Sequence, residues 1–288
     1  MNTQQLTRGA MVCAIYGLLL FLNQQTGLMI ESSASWLFVL PILVYTAMYG
    51  AKVAGIAALA MCLMTFLFGG FTTWFYSWLS ILSGYVYGSG VFRRQKNSVN
   101  FLLVFLISFV STILMVYLWA AVFDLDLMSD FKMIVQYFPS VRWDAFVLAV
   151  VVAMALLEAL CIHLVGILLC TRLRIAMRPL NGIDSIESPR WVGIVSLVIW
   201  LVYFFGQSMV KLSPEWQTAV QAALFLDAMA LDFYGVVYFM TLNVRKGSRK
   251  RAPLAILGAF IPVLQILWIL SGEMDCLLQI RKNYLKQS

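Results

Sequence analysis

The chain of 288 residues is 62% hydrophobic and only 11% charged, against roughly 45–50% apolar and about 25% charged in ordinary soluble domains. A water-soluble fold is excluded. Twenty Lys and Arg against thirteen Asp and Glu leave a net charge of +7, which in such a chain points to bases gathered in cytoplasmic loops rather than to a nucleic-acid surface.

A bilayer core of ~30 Å calls for about 20 apolar residues in helix. Nine apolar runs meet or approach that requirement: 9–29, 35–50, 52–70, 73–92, 100–123, 144–171, 191–211, 216–243 and 253–272. The predicted fold is therefore all-α and polytopic, with about nine transmembrane helices. Residues 1–22 have one Arg before an apolar run, as a signal peptide has, but no small-x-small cleavage site follows and they read as the first span. The second and third runs meet at Tyr49-Gly50-Ala51-Lys52, a turn with a helix-stopping Gly, as a hairpin of tilted spans or a re-entrant pair. Pro41, Gly166, Gly206 and Pro262 lie inside spans, where neighbouring helices can satisfy the freed backbone groups.

Between spans five and six, Leu127, Phe131, Ile134 and Phe138 recur at helical spacing before Pro139, predicting an outer interfacial helix. The segment 174–190 is the longest inner loop. It separates an N-terminal membrane domain, 1–173, from a C-terminal extension of two to three helices and a short tail, 191–288. With the N-terminus inside, Arg8, Lys52, Arg93, Arg94 and Lys96, the bases from Arg172 to Arg190 and those from Arg245 to Arg251 all face the cytoplasm: fourteen of the twenty. This predicts a multi-pass protein of the cell membrane with a cytoplasmic N-terminus. Nine spans leave the tail outside despite Arg281, Lys282 and Lys286; a re-entrant 253–272 would return it to the cytoplasm.

The five cysteines, Cys13, Cys62, Cys161, Cys170 and Cys276, form no CxxC pair and read as small hydrophobes between helices rather than as metal ligands or disulfides. Gly9, Ala10, Cys13, Ala14 and Gly17 lie three and four apart, as do Ser80, Gly84 and Gly88, and small faces of this kind let helices approach closely in lipid. Four ionisable side chains fall inside spans: Glu158, His163, Asp227 and Asp232. An intramembrane charge costs at least ~2.5–3.5 kcal/mol near a helix centre, and every Lys and Arg lies in a loop or flank. These acids are expected either as neutral carboxyls hydrogen-bonded to Ser, Thr, Tyr or backbone, or as part of a solute or ion site. Glu158 and His163 are five apart, about 140° around the helix, as are Asp227 and Asp232, so neither pair shares a face; Asp232 could meet His163 across helices.

The N-terminal motifs Leu6-Thr7-Arg8-Gly9-Ala10-Met11-Val12-Cys13-Ala14, Leu40-Pro41-Ile42 with Tyr49-Gly50-Ala51-Lys52-Val53-Ala54-Gly55, and Gly84-Tyr85-Val86-Tyr87-Gly88 resemble those of the S components of energy-coupling factor transporters. The full chain is similar to the YybS-like family of uncharacterised bacterial membrane proteins, to whose Gly-x-x-Asp…Arg close Gly272-Glu273-Met274-Asp275 and Arg281 correspond. The resemblance implies a six-helix N-terminal bundle that captures a vitamin-like solute or ion from the outer side. It also implies partner docking through Ala10 and Ala14, which match the Ala-x-x-x-Ala motif. The implied partner is a transmembrane coupling protein with ATPase subunits. S components end after six helices, whereas this chain continues for about three more.

On that resemblance the ligand-binding residues are Asn23, Gln24 (with Gln25), Glu31, Trp74 (with Tyr76), Trp78, Tyr117, Trp119 and Trp143; the aromatic members equally suit anchoring at the membrane interface. The expected function is a small-solute binding or transport subunit. The alternative is a structural or regulatory membrane protein that assembles with others. A membrane enzyme acting on lipid would require Glu158, His163 and Asp232 to converge. One His, and no HExxH, Walker loop or GxSxG, make an enzyme, a cofactor or a metal site unexpected, and any transport energy must come from a partner or an ion gradient.

Overall fold

A computed structural model describes residues 2–123, 132, 133, 135, 136, 141–179, 182, 186–209, 213–245, 247, 252–259 and 261–286; the side chains of 71, 72, 75, 118–123, 206–209, 245, 252, 253, 262 and 284–286 lie outside that description. The described elements are all helical. They are α1 (Thr3–Gln25), α2 (Met29–Ala34), a 3-10 turn (Ser35–Val39), α3 (Leu40–Tyr49), α4 (Ala51–Phe68), α5 (Phe71–Phe92), α6 (Asn97–Phe123) and α7 (Trp143–Arg172). There follow α8 (Arg190–Met209), α9 (Pro214–Arg245), α10 (Ala252–Gly258), α11 (Pro262–Leu278) and α12 (Ile280–Lys286).

Among the described residues six helical segments are long and apolar enough to cross a membrane: Thr3–Gln25, Met29–Tyr49, Ala51–Phe68, Asn97–Tyr117, Trp143–Arg172 and Pro214–Val244. The chain is a multi-pass membrane protein. Its helices are apolar outward: on α4, Ile56, Leu59, Leu63 and Phe66 are exposed at helical spacing while Ala54, Ala57, Met61 and Thr65 are buried. Small residues thus face the neighbouring helices and large ones the solvent position, the arrangement that suits lipid.

The run predicted as a ninth span, 253–272, is not one helix. α10 stops at Gly258 and α11 begins with Pro262, whose missing amide hydrogen costs nothing in a first turn. Trp268 folds back across the break, its indole Nε1 donating to the Ala255 carbonyl oxygen at 2.9 Å. That bond satisfies one of the carbonyls a helix end leaves open. The predicted interfacial helix around Leu127, Phe131, Ile134 and Phe138 falls outside the described residues.

The chain divides into two compact units, Met1–Leu127 with Val151–Leu180, and Met128–Val150 with Asn181–Ser288. In the first, α3 packs on α5, α5 on α4 and α6, and α1 on α3 and α4. Tyr16, Phe38, Ile42, Tyr45 and Met61 form one buried cluster; Leu43, Tyr87, Val104, Ala159 and Ile162 form another, which joins α7 to α3, α5 and α6. The small face of α5 is what lets α3 approach. A Cβ on Gly84 would stand 2.4 Å from the Val39 carbonyl oxygen, and one on Gly88 2.5 Å from that of Leu43. The turn after α3 needs Gly50, which has φ 80° and lies under the Phe92 ring.

In the second unit α9 packs against α8, α10 and α11, and α11 also against α8. α9 and α11 cross at two glycines: a Cβ on Gly235 would lie 2.0 Å from the Trp268 carbonyl oxygen, and one on Gly272 2.0 Å from that of Leu231. Val192, Leu231 and Cys276 fill the core beside them. All five cysteines are free thiols, with Cys170 and Cys276 buried.

Candidate functional site

In the first unit, buried polar groups collect where the end of α1, α2, the following 3-10 turn and α5 to α7 contribute side chains. Asn23, buried near the end of α1, donates from Nδ2 to Glu31 Oε2 at 3.1 Å. Its Oδ1 in turn accepts the Glu31 backbone N–H at 2.9 Å. The two-way bond fixes the carboxylate at the start of α2, where the backbone N–H groups also favour negative charge. Thr73, buried on α5, turns its hydroxyl towards Glu31. Buried Tyr16 shares a 2.8 Å hydrogen bond with Thr65 and faces Ser77.

Glu158, midway along α7, extends the cluster. Its Oε1 accepts the Ser35 hydroxyl at 3.2 Å, and the buried Ser108 of α6 is turned towards it as well. Tyr76 lies within electrostatic range of both Glu31 and Glu158. Two carboxyl groups from distant parts of the chain thus act electrostatically on one phenol. Among the described residues the one ion pair is Arg281 with Asp275, in the other unit, so neither glutamate has a cationic partner. No three His, Cys, Asp or Glu side chains gather to hold a metal, again among the described residues.

Comparison with family models, curated proteins and solved structures finds no match. The resemblance to S components and to the YybS-like family therefore rests on the sequence motifs alone.

The expected ligand residues separate. Asn23 and Glu31 are joined; Gln24 and Gln25 are exposed. Trp74 is half-buried and packs edge-on to Phe66 and Trp78, and Trp78 and Tyr117 are exposed. The Trp119 side chain lies outside the described residues. Trp143 belongs with the second unit, where the Lys132 ammonium stands 5.9 Å from its ring centroid.

The small-residue face of α1 divides into two stripes. Gly9 packs under Tyr45, Gly17 faces Met64 and Cys13 lies on the Ala57 carbonyl, whereas Ala10 and Ala14 are exposed. His163 is held by aromatic neighbours in the first unit, with Nδ1 3.1 Å from the Tyr87 hydroxyl and the Phe101 ring edge-on at 5.5 Å. In the second unit Asp227 accepts Ser196 Oγ at 2.8 Å and Trp200 Nε1 at 3.3 Å, while Asp232 Oδ1 is buried with no partner among the described residues.

Sequence reading missed Ser35, Thr73, Ser77 and Ser108, because single hydroxyls in apolar helices usually bond the carbonyl a turn back. It also missed the ion pair of the second unit. Asp275 and Arg281 are 0% and 6% exposed. Arg281 donates Nε to Asp275 Oδ2 at 2.5 Å and its backbone N–H to Oδ1 at 2.9 Å, and its Nη1 reaches the Ile186 carbonyl at 3.1 Å. Gln279, at φ 51°, ends α11 and turns α12 back so that the two meet. The six-residue spacing carries no helical signature, and only the left-handed Gln279 makes it a contact.

Proposed function

We propose that this chain is a membrane-embedded binding or transport subunit for a small vitamin-like solute or ion, acting in the manner of an energy-coupling factor S component. The observation that carries this reading is the polar cluster of Asn23, Glu31, Thr73, Ser77 and Glu158 inside an apolar bundle. A fold needs no such cluster. Each buried polar group left without a partner costs about 1–3 kcal/mol, and intramembrane carboxyls more, so a site that receives a polar ligand accounts for their retention. The position also agrees with the family resemblance, which places the solute under the segment after the first span.

On this reading the chain sits in the bacterial cell membrane with its N-terminus in the cytoplasm, oriented by its inner bases and crossing about nine times, with the break at Gly258 accommodated in the last crossing. Energy comes from ATPase subunits through a transmembrane coupling protein that docks on exposed Ala10 and Ala14. The chain has no catalytic role of its own and needs neither cofactor nor nucleic acid.

The test is affinity purification from the native host in mild detergent, with mass spectrometry of the co-purifying proteins and small molecules. A retained small molecule and a coupling protein with its ATPases are expected. Protein partners without a solute or ATPases would instead assign the chain to assembly or regulation, a role the exposed Ala10 and Ala14 stripe would also serve.

A further inference from the structure

We propose that the solute held between Glu31 and Glu158 is an organic cation presenting a primary ammonium group. This rests on the reading of the cluster as a solute site. Two carboxyl groups approach it from α2 and α7, and among the described residues neither has a Lys or Arg partner. A second, independent observation points to a missing ligand. Thr73 and Ser77, 0% and 1% exposed, are two of the most enclosed hydroxyls in the bundle, and among the described residues neither closes a hydrogen bond of full geometry. Thr73 is nevertheless turned towards Glu31, and Ser77 towards the Tyr16 phenol.

They stand one helical turn apart on α5, Thr73 beside Glu31 and Ser77 beside Tyr16. A primary ammonium has three donors and no acceptor. It matches a set made of carboxylate and hydroxyl oxygens and supplies the positive charge that no Lys or Arg brings to them among the described residues. An anionic solute would bring a further negative charge to two uncompensated carboxyls in a low-dielectric bundle. A bare metal ion is less well matched, since no group of three His, Cys, Asp or Glu side chains gathers among the described residues.

Three probes of nearly equal size isolate charge: tryptamine, neutral 3-ethylindole and anionic indole-3-propionate, titrated calorimetrically into the full chain in detergent. Tryptamine is expected to bind saturably and at least 10-fold more tightly than the other two. Glu31→Gln and Glu158→Gln, which keep side-chain shape, should each weaken it at least 10-fold, and Thr73→Val several-fold. The wild-type probe series decides the matter even if a variant fails to fold. Equal or tighter binding of the neutral or anionic probe, or unchanged tryptamine affinity in folded glutamine variants, overturns the cation while leaving a solute site in place. Binding of none of the three overturns the cation as well. If the wild type also purifies without any small molecule, the solute-binding reading fails with it.

Discussion

Asp275→Asn removes the negative half of an ion pair enclosed in the second unit. Arg281 would keep its bond to the Ile186 carbonyl but lose the charge that compensates it, with Asp275 and Arg281 at 0% and 6% exposure. Breaking a buried pair from one side costs about 3–5 kcal/mol, since the remaining charge stays out of water. At least one of the two bonds from Arg281 goes with it, since the amide that replaces the carboxylate has a single acceptor oxygen.

Cys276, buried beside Asp275, reports the opening directly. In a chain with Cys13, Cys62, Cys161 and Cys170 replaced by Ala, maleimide labelling of Cys276 should accelerate about 10²- to 4 × 10³-fold, at 1.4 kcal/mol per factor of ten. Denaturant unfolding in mixed micelles should shift in parallel. Asp275→Leu combined with Arg281→Met removes both charges and should recover most of the loss. Unchanged labelling in Asp275→Asn, or a double variant less stable than either single one, would refute the reasoning.

Gly84→Val and Gly235→Val should each destabilise by about 1–3 kcal/mol or more through overpacking, because their first side-chain carbon would meet the backbone oxygen of Val39, at the end of the 3-10 turn, and that of Trp268 on α11 respectively; unfolding in micelles checks both. Asn23→Leu removes both hydrogen bonds that Asn23 makes to Glu31 and should cost about 1–3 kcal/mol together with any bound solute, read by unfolding and by mass spectrometry of the purified protein. Tyr87→Phe deprives His163 of its Nδ1 partner and should lower stability by about 1 kcal/mol while leaving solute retention unchanged. Ala10→Trp and Ala14→Trp, at exposed positions, should leave folding intact and abolish capture of a coupling protein, as seen by pull-down.

The helices were legible because lipid forces every backbone group into helix and leaves long apolar runs as the trace. The close approach at Gly84 and Gly88 was legible for the same reason, since without a hydrophobic drive between helices packing depends on small side chains. The break at Gly258 and Pro262 was harder to read. Such residues are tolerated within spans, and what fixes the break is the distant Trp268 indole, which satisfies the Ala255 carbonyl. Asn23, Glu31 and Glu158 each stood out as polar residues in or beside apolar runs, but their grouping depends on α2 and α7 meeting the face of α5, which no spacing in the chain encodes. The Ser and Thr hydroxyls that complete the cluster are indistinguishable in sequence from those bonded within their own helix, such as Thr112 to the Ser108 carbonyl.

On the proposed reading the cluster of Asn23, Glu31, Thr73, Ser77 and Glu158 holds a small solute. Its most direct test is native mass spectrometry of the full chain released from mild detergent, comparing the wild type with Glu158→Gln. A small-molecule adduct on the wild type that is lost from the folded variant is the predicted result; the same adduct on both, or on neither, contradicts it.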